Sequence, residues 1–211
     1  MNGPAPAPLR LLIAEDHLIA RVGVKTIISM QPGMTVCAEA SNGAQAVELF
    51  RQHRPDIVLM DLRMPVLSGV EAAQAILGEF PDARIIGLST YGGDEDIRRA
   101  LAAGMRSYLT KDVLHDELIR AIHAVHAGEV YLPPSVQAAL AASSLPPDLS
   151  VREMEVLELI VKGQGNKHIA YQLGIAEHTV KNHVKRILAK LGVDDRTQAA
   201  TAAIQRGIVH L

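Results

Sequence analysis

The sequence predicts an α/β protein: a doubly wound, five-stranded parallel sheet followed by a second, all-α domain of four helices. Three observations carry this expectation. Over residues 9–128, short apolar runs of strand length alternate with longer stretches of helical period. From residue 129 a Pro- and Ala/Ser-rich segment interrupts that rhythm, and no strand signal returns after it. The formal charge also changes sign, from −4 over residues 1–147 to +2 over residues 148–211.

The strand candidates are Leu9–Ala14, Met34–Glu39, Asp56–Met60, Arg84–Leu88 and Ser107–Leu109. Each is a short, nearly continuous apolar run, as a strand buried on both faces requires. Leu18, Val22 and Ile28 mark the first intervening helix, and Ala44, Val47 and Phe50 the second. Val70, Ala73, Ile76 and Phe80 mark the third, Ile97 and Leu101 the fourth, and Leu118, Ile122 and Val125 the fifth. Serial β–α units with right-handed crossovers build one parallel sheet, here expected in the order 2-1-3-4-5, with helices on both faces. Residues 129–147, with Pro133-Pro134, Ala138 to Ser144 and Pro146-Pro147, read as a linker containing one short helix. Ser150-x-x-Glu153 is a capping box ahead of Met154, Leu157 and Val161. Asn166 is placed to cap a helix over 167–173 that Gly174 stops. A third helix is expected from about Thr179 to Leu191, and Asp195-x-x-Gln198 caps a fourth.

Composition narrows the function. With 211 residues, 48% hydrophobic and 21% charged, the chain can bury proper cores. No Trp and 3% aromatics argue against stacking on single-stranded nucleic acid. No apolar run reaches the ~18 residues of a membrane span. The start, MNGPAPAP, has no secretion-signal pattern, and the single Cys37 forms no internal disulfide, so a cytoplasmic, reducing location is expected.

Three carboxylates stand where a doubly wound sheet places its ligands. Glu15 and Asp16 follow strand one, and Asp61 ends strand three, its neighbour in the order above. Three like charges brought together need a counter-charge, and hard oxygen donors in that number suit Mg²⁺. Ser89 ends strand four and Lys111 follows strand five. A carboxylate nucleophile, a metal, a hydroxyl and an ammonium make a phosphoryl-transfer site. Acidic residues also follow strands as caps and turn formers, which explains any one of these groups but not all five.

Glu15-Asp16, Asp61 with Met64-Pro65 and Gly69, Leu88-Ser89-Thr90, Ala103-Gly104 and Tyr108-Leu109-Thr110-Lys111 are similar to the receiver domain of two-component response regulators. The resemblance covers residues 9–128. It implies Asp61 as phosphoacceptor from a sensor histidine kinase. It also implies Mg²⁺ on Asp16, Asp61 and the Arg63 carbonyl, with Glu15 acting through water. Ser89 and Lys111 would grip the phosphoryl oxygens, and Tyr108 would move with Ser89 as a switch. Glu15 stands for the more frequent Asp, Ser89 for Thr, and Asp112 for the Pro that often follows the lysine; a trans Lys111-Asp112 bond is expected. A haloacid-dehalogenase-type phosphatase needs a second Asp two positions beyond the first, where this chain has Arg63.

The third helix of the second domain separates its residues by face. Val180, Val184, Ile187, Leu188 and Leu191 share one side, and Lys181, Asn182, Lys185 and Arg186 another. No acid occurs from Thr179 to Val193. A solvated amphipathic helix accounts for such a face too, but normally mixes charge signs. Joined to the preceding helix through the turn at Gly174, this is a helix-turn-helix arrangement.

Leu149-Ser150-x-Arg152-Glu153, Asn166-Lys167-x-Ile169-Ala170-x-x-Leu173, Thr179-Val180-Lys181-x-His183-Val184 and Lys190-Leu191 resemble the LuxR-type helix-turn-helix, covering residues 148–211. Receiver plus this module resembles the NarL/FixJ class of response regulators. That resemblance implies a transcription regulator, with a homodimer on double-stranded promoter DNA when phosphorylated. Lys181, Asn182 and Lys185 would read base edges, Thr179 and His183 would lie nearer the phosphates, and Arg186 would act at the flank. His168 and His178 depart from the usual residues. Two rivals are a metal-dependent phosphohydrolase and a constitutive DNA binder with a vestigial receiver; the full Asp61/Lys111 set argues against the second. His115, His123 and His126 offer spacing for Zn²⁺ but no ordered third ligand, and Cys37 reads as a small buried hydrophobe.

Overall fold

A computed structural model describes residues 7–90, 92–112, 114–142 and 149–209. The chain forms two compact units. The first is built on strands β1 (Leu9–Ala14), β2 (Met34–Ala40), β3 (Ile57–Asp61), β4 (Ile85–Ser89) and β5 (Ser107–Thr110). They form one parallel sheet in the order β2-β1-β3-β4-β5, as expected. Leu59, Ile86, Leu88 and Leu109 are fully buried, which is why these strands read as unbroken apolar runs. Helices α1 (Leu18–Ser29), α2 (Gly43–His53), α3 (Gly69–Glu79), α4 (Asp94–Ala102) and α5 (Leu114–His126) connect and follow the strands. Val24, Ile28, Leu118, Ile122 and Val125 fill one core against the sheet.

β3 and β4 end on Asp61 and Ser89, as expected, and β5 runs one residue beyond its apolar run to Thr110. These polar residues are ladder partners themselves, with Asp61 opposite Leu88 and Ser89 opposite Thr110. Asp61 and Ser89 are therefore held in the sheet itself, while Glu15, Asp16 and Lys111 directly follow β1 and β5. All peptide bonds among the described residues are trans, Lys111-Asp112 included.

The segment after α5 is ordered at its start. Tyr131 bridges to Ser107 beside β5, its N–H donating to the Arg106 carbonyl at 2.9 Å. The short helix expected there is α6 (Pro134–Ala142), while Pro146-Pro147 and the end of the Ala/Ser stretch lie outside the described residues.

The second unit holds α7 (Val151–Val161), α8 (Asn166–Leu173), α9 (Glu177–Leu191) and α10 (Arg196–Gln205). Val156, Leu157, Ile169, Val180, Ile187 and Ala199 form its core. The capping box of α7 is complete, with Ser150 accepting from the Glu153 N–H and Glu153 accepting from the Ser150 N–H. Asp195 caps α10 by accepting from the Gln198 N–H.

Two expectations are corrected. Asn166 does not cap α8: Gly165 is the N-cap, and the Asn166 side-chain oxygen instead accepts from Arg196 Nη1 at 2.9 Å. That arginine also donates to the Gln164 carbonyl, so it ties α10 to the start of α8 and takes the oxygen a cap would use. The third helix begins at Glu177, two residues before Thr179, so its first turn carries an acid.

Candidate functional site

The pocket is assembled from strand ends. Glu15, buried, leaves β1, and its backbone carbonyl is held by Arg21 Nη1 at 2.6 Å. Asp16 follows with its carboxylate partly exposed, and Asp61 closes β3 with its side chain almost wholly buried. Lys111 follows β5 and is fixed by its own N–H, which donates to the Ser89 carbonyl at 2.7 Å. Its ammonium then reaches across the sheet edge to Asp61 Oδ2 at 2.9 Å and Glu15 Oε2 at 2.6 Å. The contact to Glu15 is ionic rather than a well-angled hydrogen bond, leaving that buried oxygen without a hydrogen-bond partner in the protein. The Arg63 N–H donates to Asp61 Oδ1 at 3.2 Å. Ser89 is buried at the end of β4, and Tyr108 is fully buried within β5.

Gly69 makes the loop after Asp61 possible. A Cβ there would stand 1.9 Å from the Asp61 carbonyl oxygen, and the Gly69 N–H donates to the Leu62 carbonyl at 3.0 Å. Only glycine allows α3 to start so close to the end of β3. Inside that loop Val66 adopts φ +71 with its side chain exposed, a left-handed conformation that β-branched residues avoid.

Burial in this corner pushes the Asp61 carboxyl up to about 6. The Glu15 charge adds to the rise, and the Lys111 contact and the Arg63 N–H oppose it without cancelling it. Burial works against the Lys111 ammonium, but its bonds to Glu15 and Asp61 outweigh that and hold its pKa above the ordinary value.

One pocket residue was not foreseen. His17 brings Nδ1 into the same cluster, so that Glu15, Asp16, His17 and Asp61 each offer a ligand atom within 4.8 Å of all the others. Its signal was adjacency: it follows Asp16 directly, but a half-turn side chain at a helix N-terminus carries no periodicity. The donor set is three carboxylates and one imidazole against a single ammonium. That is a fit for a divalent cation. The histidines noted on α5 give no such set: among the described residues no other group of three or more ligand-type side chains converges, and the His115 side chain lies outside them.

In the second unit the helix-turn-helix is built by backbone capping. Gly174 ends α8 at φ +63, and the Ile175 N–H donates back to the Ala170 carbonyl at 3.0 Å, turning the chain into α9. Val180, Ile187 and Leu191 are buried, with Val184 and Leu188 half-buried beside them. Lys181, Asn182, Lys185 and Arg186 are exposed together, as the sequence predicted. Thr179 and His183 are half-buried at the margin of that face, and His183 Nδ1 is sealed from solvent without a hydrogen-bond partner. Glu177 pairs with Lys181 at 3.2 Å across one turn.

A lysine-paired aspartate buried at the carboxyl edge of a doubly wound sheet, followed by a helix-turn-helix unit, defines a receiver-linked regulator. Comparison with known proteins agrees along the whole chain. Residues 11–123 match the response regulator receiver domain, and residues 147–203 match the bacterial regulatory proteins of the luxR family. The chain is 39% identical to the nitrate/nitrite response regulator protein NarL of Escherichia coli, over 95% of this chain and 97% of that protein. It is 38% identical to the transcriptional regulatory protein YxjL of Bacillus subtilis, over 96% and 98%. Among solved structures, the response regulator ChrA of a heme-sensing two-component system aligns with TM-score 0.59 and 35% identity, over 96% of this chain and 99% of that one. The RcsB–DNA complex shares the fold, with TM-score 0.69 at 23% identity over 94% and 98%. The chain belongs to the response regulators that join a receiver domain to a LuxR-type DNA-binding domain, a family of transcriptional regulators.

Proposed function

We propose that residues 9–128 receive a phosphoryl group on Asp61 from a sensor histidine kinase, and that residues 148–211, joined through 129–147, bind promoter DNA as a homodimer in response. The observation that carries this is the Asp61 carboxylate: buried, held on one oxygen by the Arg63 N–H and on the other by Lys111. A nucleophile so oriented has little orientational entropy left to lose at the transition state. Lys111 and the Ser89 hydroxyl stand on the rim where charge on the transferring phosphoryl oxygens develops. Mg²⁺, held by Asp16, Asp61 and the Arg63 carbonyl with Glu15 acting through water, would supply charge neutralisation for the incoming phosphoryl group. Tyr108, buried two residues before Thr110 on the strand paired with Ser89, is in place to follow a shift of that serine.

The output is a change in population between two states of the receiver surface, not turnover of a substrate. On α9, Lys181, Asn182 and Lys185 read base edges in the major groove, Thr179 and His183 approach the phosphates, and Arg186 contacts the flank. Among the described residues no helix is long and apolar enough to cross a membrane, and a DNA-binding regulator of this family is proposed to act in the cytoplasm, where its DNA is. Acetyl phosphate with Mg²⁺ tests the proposal: wild type takes label and gains affinity for DNA from its own promoter region. Asp61→Asn takes none and gains nothing. Label at another residue, or phosphate-independent DNA binding of the full chain, overturns it.

A further inference from the structure

The chain between α5 and α6 does more than connect them. β5 is an edge strand of the sheet, and native folds cover or blunt such an edge. Here the cover is residues 128–132. Gly128 turns the chain out of α5 at φ +92, its N–H donating to the Val125 carbonyl at 3.0 Å. Arg106, the residue just before β5, clasps the stretch at two points. Its Nη1 donates to the Gly128 carbonyl at 2.9 Å, and its carbonyl accepts from the Tyr131 N–H at 2.9 Å. Tyr131 stands in parallel register with Ser107. Its hydroxyl reaches α5, donating to Glu117 Oε2, and the other oxygen of that mostly buried carboxylate pairs with Arg120 at 3.5 Å.

Edge protection accounts for the backbone bridge, which any residue in extended backbone can make. It does not call for a hydroxyl bonded to a carboxylate of the neighbouring helix. The bridge also falls on a particular strand: Ser107 directly precedes Tyr108, and Lys111 follows the same strand. Beyond Tyr131 the bonding continues into α6. Gln137 donates through Nε2 to the Leu132 carbonyl at 2.7 Å and through its N–H to the Pro133 carbonyl at 3.0 Å, and Pro133 and Val136 are buried. A bonded path therefore runs from β5 through Tyr131 to α6, the start of the connection to residues 148–211. We infer that residues 128–132 are a coupling strap that passes a shift of β5 to the linker, with Tyr131 joining β5 to α5 as its coupling residue. The inference rests on the proposed function, in which β5 responds to the charge at Asp61, and adds the route by which the linker senses it.

Such a coupling is reciprocal: the factor that activation adds to DNA affinity is the factor that DNA adds to the affinity for the activating ligand. The test uses the full chain, DNA from its own promoter region read by fluorescence anisotropy, and beryllofluoride with Mg²⁺ as the phosphoryl mimic. Wild type gains DNA affinity with beryllofluoride, and the same DNA lowers the beryllofluoride concentration for half-saturation by the same factor. Tyr131→Phe keeps the ring and the backbone bridge but loses the bond to Glu117, and both gains shrink roughly threefold or more. Glu117→Gln, which removes the charge of the acceptor, shrinks them in the same direction. Beryllofluoride affinity without DNA stays within about twofold of wild type in both variants, because the strap does not touch the pocket. If both variants keep the wild-type gain, whatever happens to their melting temperature, the stretch only protects the edge and the inference falls while the proposed function stands. A variant that loses beryllofluoride binding even without DNA acts on the pocket rather than the linker, and overturns the inference too. If wild type gains no DNA affinity from beryllofluoride, the proposed function fails and takes the inference with it.

Discussion

Replacing Asp61 with asparagine removes the proposed phosphoacceptor and, by the same stroke, a buried charge that the receiver holds at a cost. The carboxyl sits at about 6 against an ordinary 3.8. That gap corresponds to about 3 kcal/mol of native-state destabilisation once the group is ionised in both folded and unfolded chains. The sign follows from proton counting. Between pH 3.8 and about 6 the folded state binds more protons at this site than the unfolded state, so stability falls as pH rises through that window. Below it the group is neutral in both states and contributes nothing; above it the loss is complete. Asparagine keeps the size, still accepts from the Arg63 N–H, and leaves Lys111 its Glu15 partner at 2.6 Å. Asp61→Asn is therefore expected to be more stable than wild type by about 2–3 kcal/mol at pH 7.5, with the difference shrinking towards zero near pH 4. Calorimetry of the full chain without divalent metal checks this, since the receiver transition should move up by about 10 °C at pH 7.5. A variant less stable than wild type at neutral pH, or a difference that does not change between pH 4 and 7.5, refutes the electrostatic account of the pocket.

Val66→Asn should stabilise the receiver by about 1 kcal/mol, because asparagine tolerates the left-handed backbone at φ +71 and the exposed valine side chain contributes no packing; urea midpoints at constant m-value measure it. Glu153→Ala removes both the α7 capping box and the 2.8 Å contact to Lys190. It should cost the second unit about 2–3 kcal/mol, read as a lower transition for that unit alone. Burial raises the Glu153 carboxyl, but Lys190 and Ser150 outweigh it and hold the pKa down. The contribution is thus present above the ordinary carboxylate range and lost as pH falls through it. On α9, Lys181→Ala or Lys185→Ala should cost about 1–3 kcal/mol at the cognate DNA site and relax base discrimination. Arg186→Ala should weaken cognate and random DNA alike and reduce the salt slope by about one. Equal losses on both DNAs for the lysine variants, measured by fluorescence anisotropy, would reduce α9 to an electrostatic anchor.

Much of this molecule was legible because its signals are local. Apolar runs such as Ile57 to Met60 and Ile85 to Leu88 have no helical period to confuse them, and the βα alternation leaves one common sheet order. The capping residues Ser150 and Asp195 act within three positions of themselves, so their roles could be read directly. What failed depended on distant partners. Asn166 has the right chemistry for a cap, but Arg196, thirty residues on, claims its oxygen. Glu177 lay before the expected helix start because Ala176, which has no capping side chain, is the actual N-cap. The convergence of Glu15, Asp16 and Asp61 follows from the strand order, but the turn of the His17 ring back onto Asp16 depends on a side-chain conformation that no sequence pattern encodes.

The pocket and the fold also explain each other. Parallel strands need continuous apolar runs, so any polar group at their carboxyl ends is forced against a dry sheet edge. Asp61 and Ser89 belong to the ladder itself, and their backbones are fixed by pairing with Leu88 and Thr110. Burial then raises the Asp61 carboxyl, and Lys111, anchored by the Ser89 carbonyl, works with the Arg63 N–H to keep the charged form accessible near neutral pH. Because β5 sets where Lys111 stands, a change in the charge on Asp61 changes the force on β5 and its neighbour β4. Ser89 and Tyr108 lie on those two strands. On the proposed reading, a shift in either would follow from the charge at Asp61 acting through Lys111, and a structure of the phosphorylated receiver with both residues unmoved would overturn it.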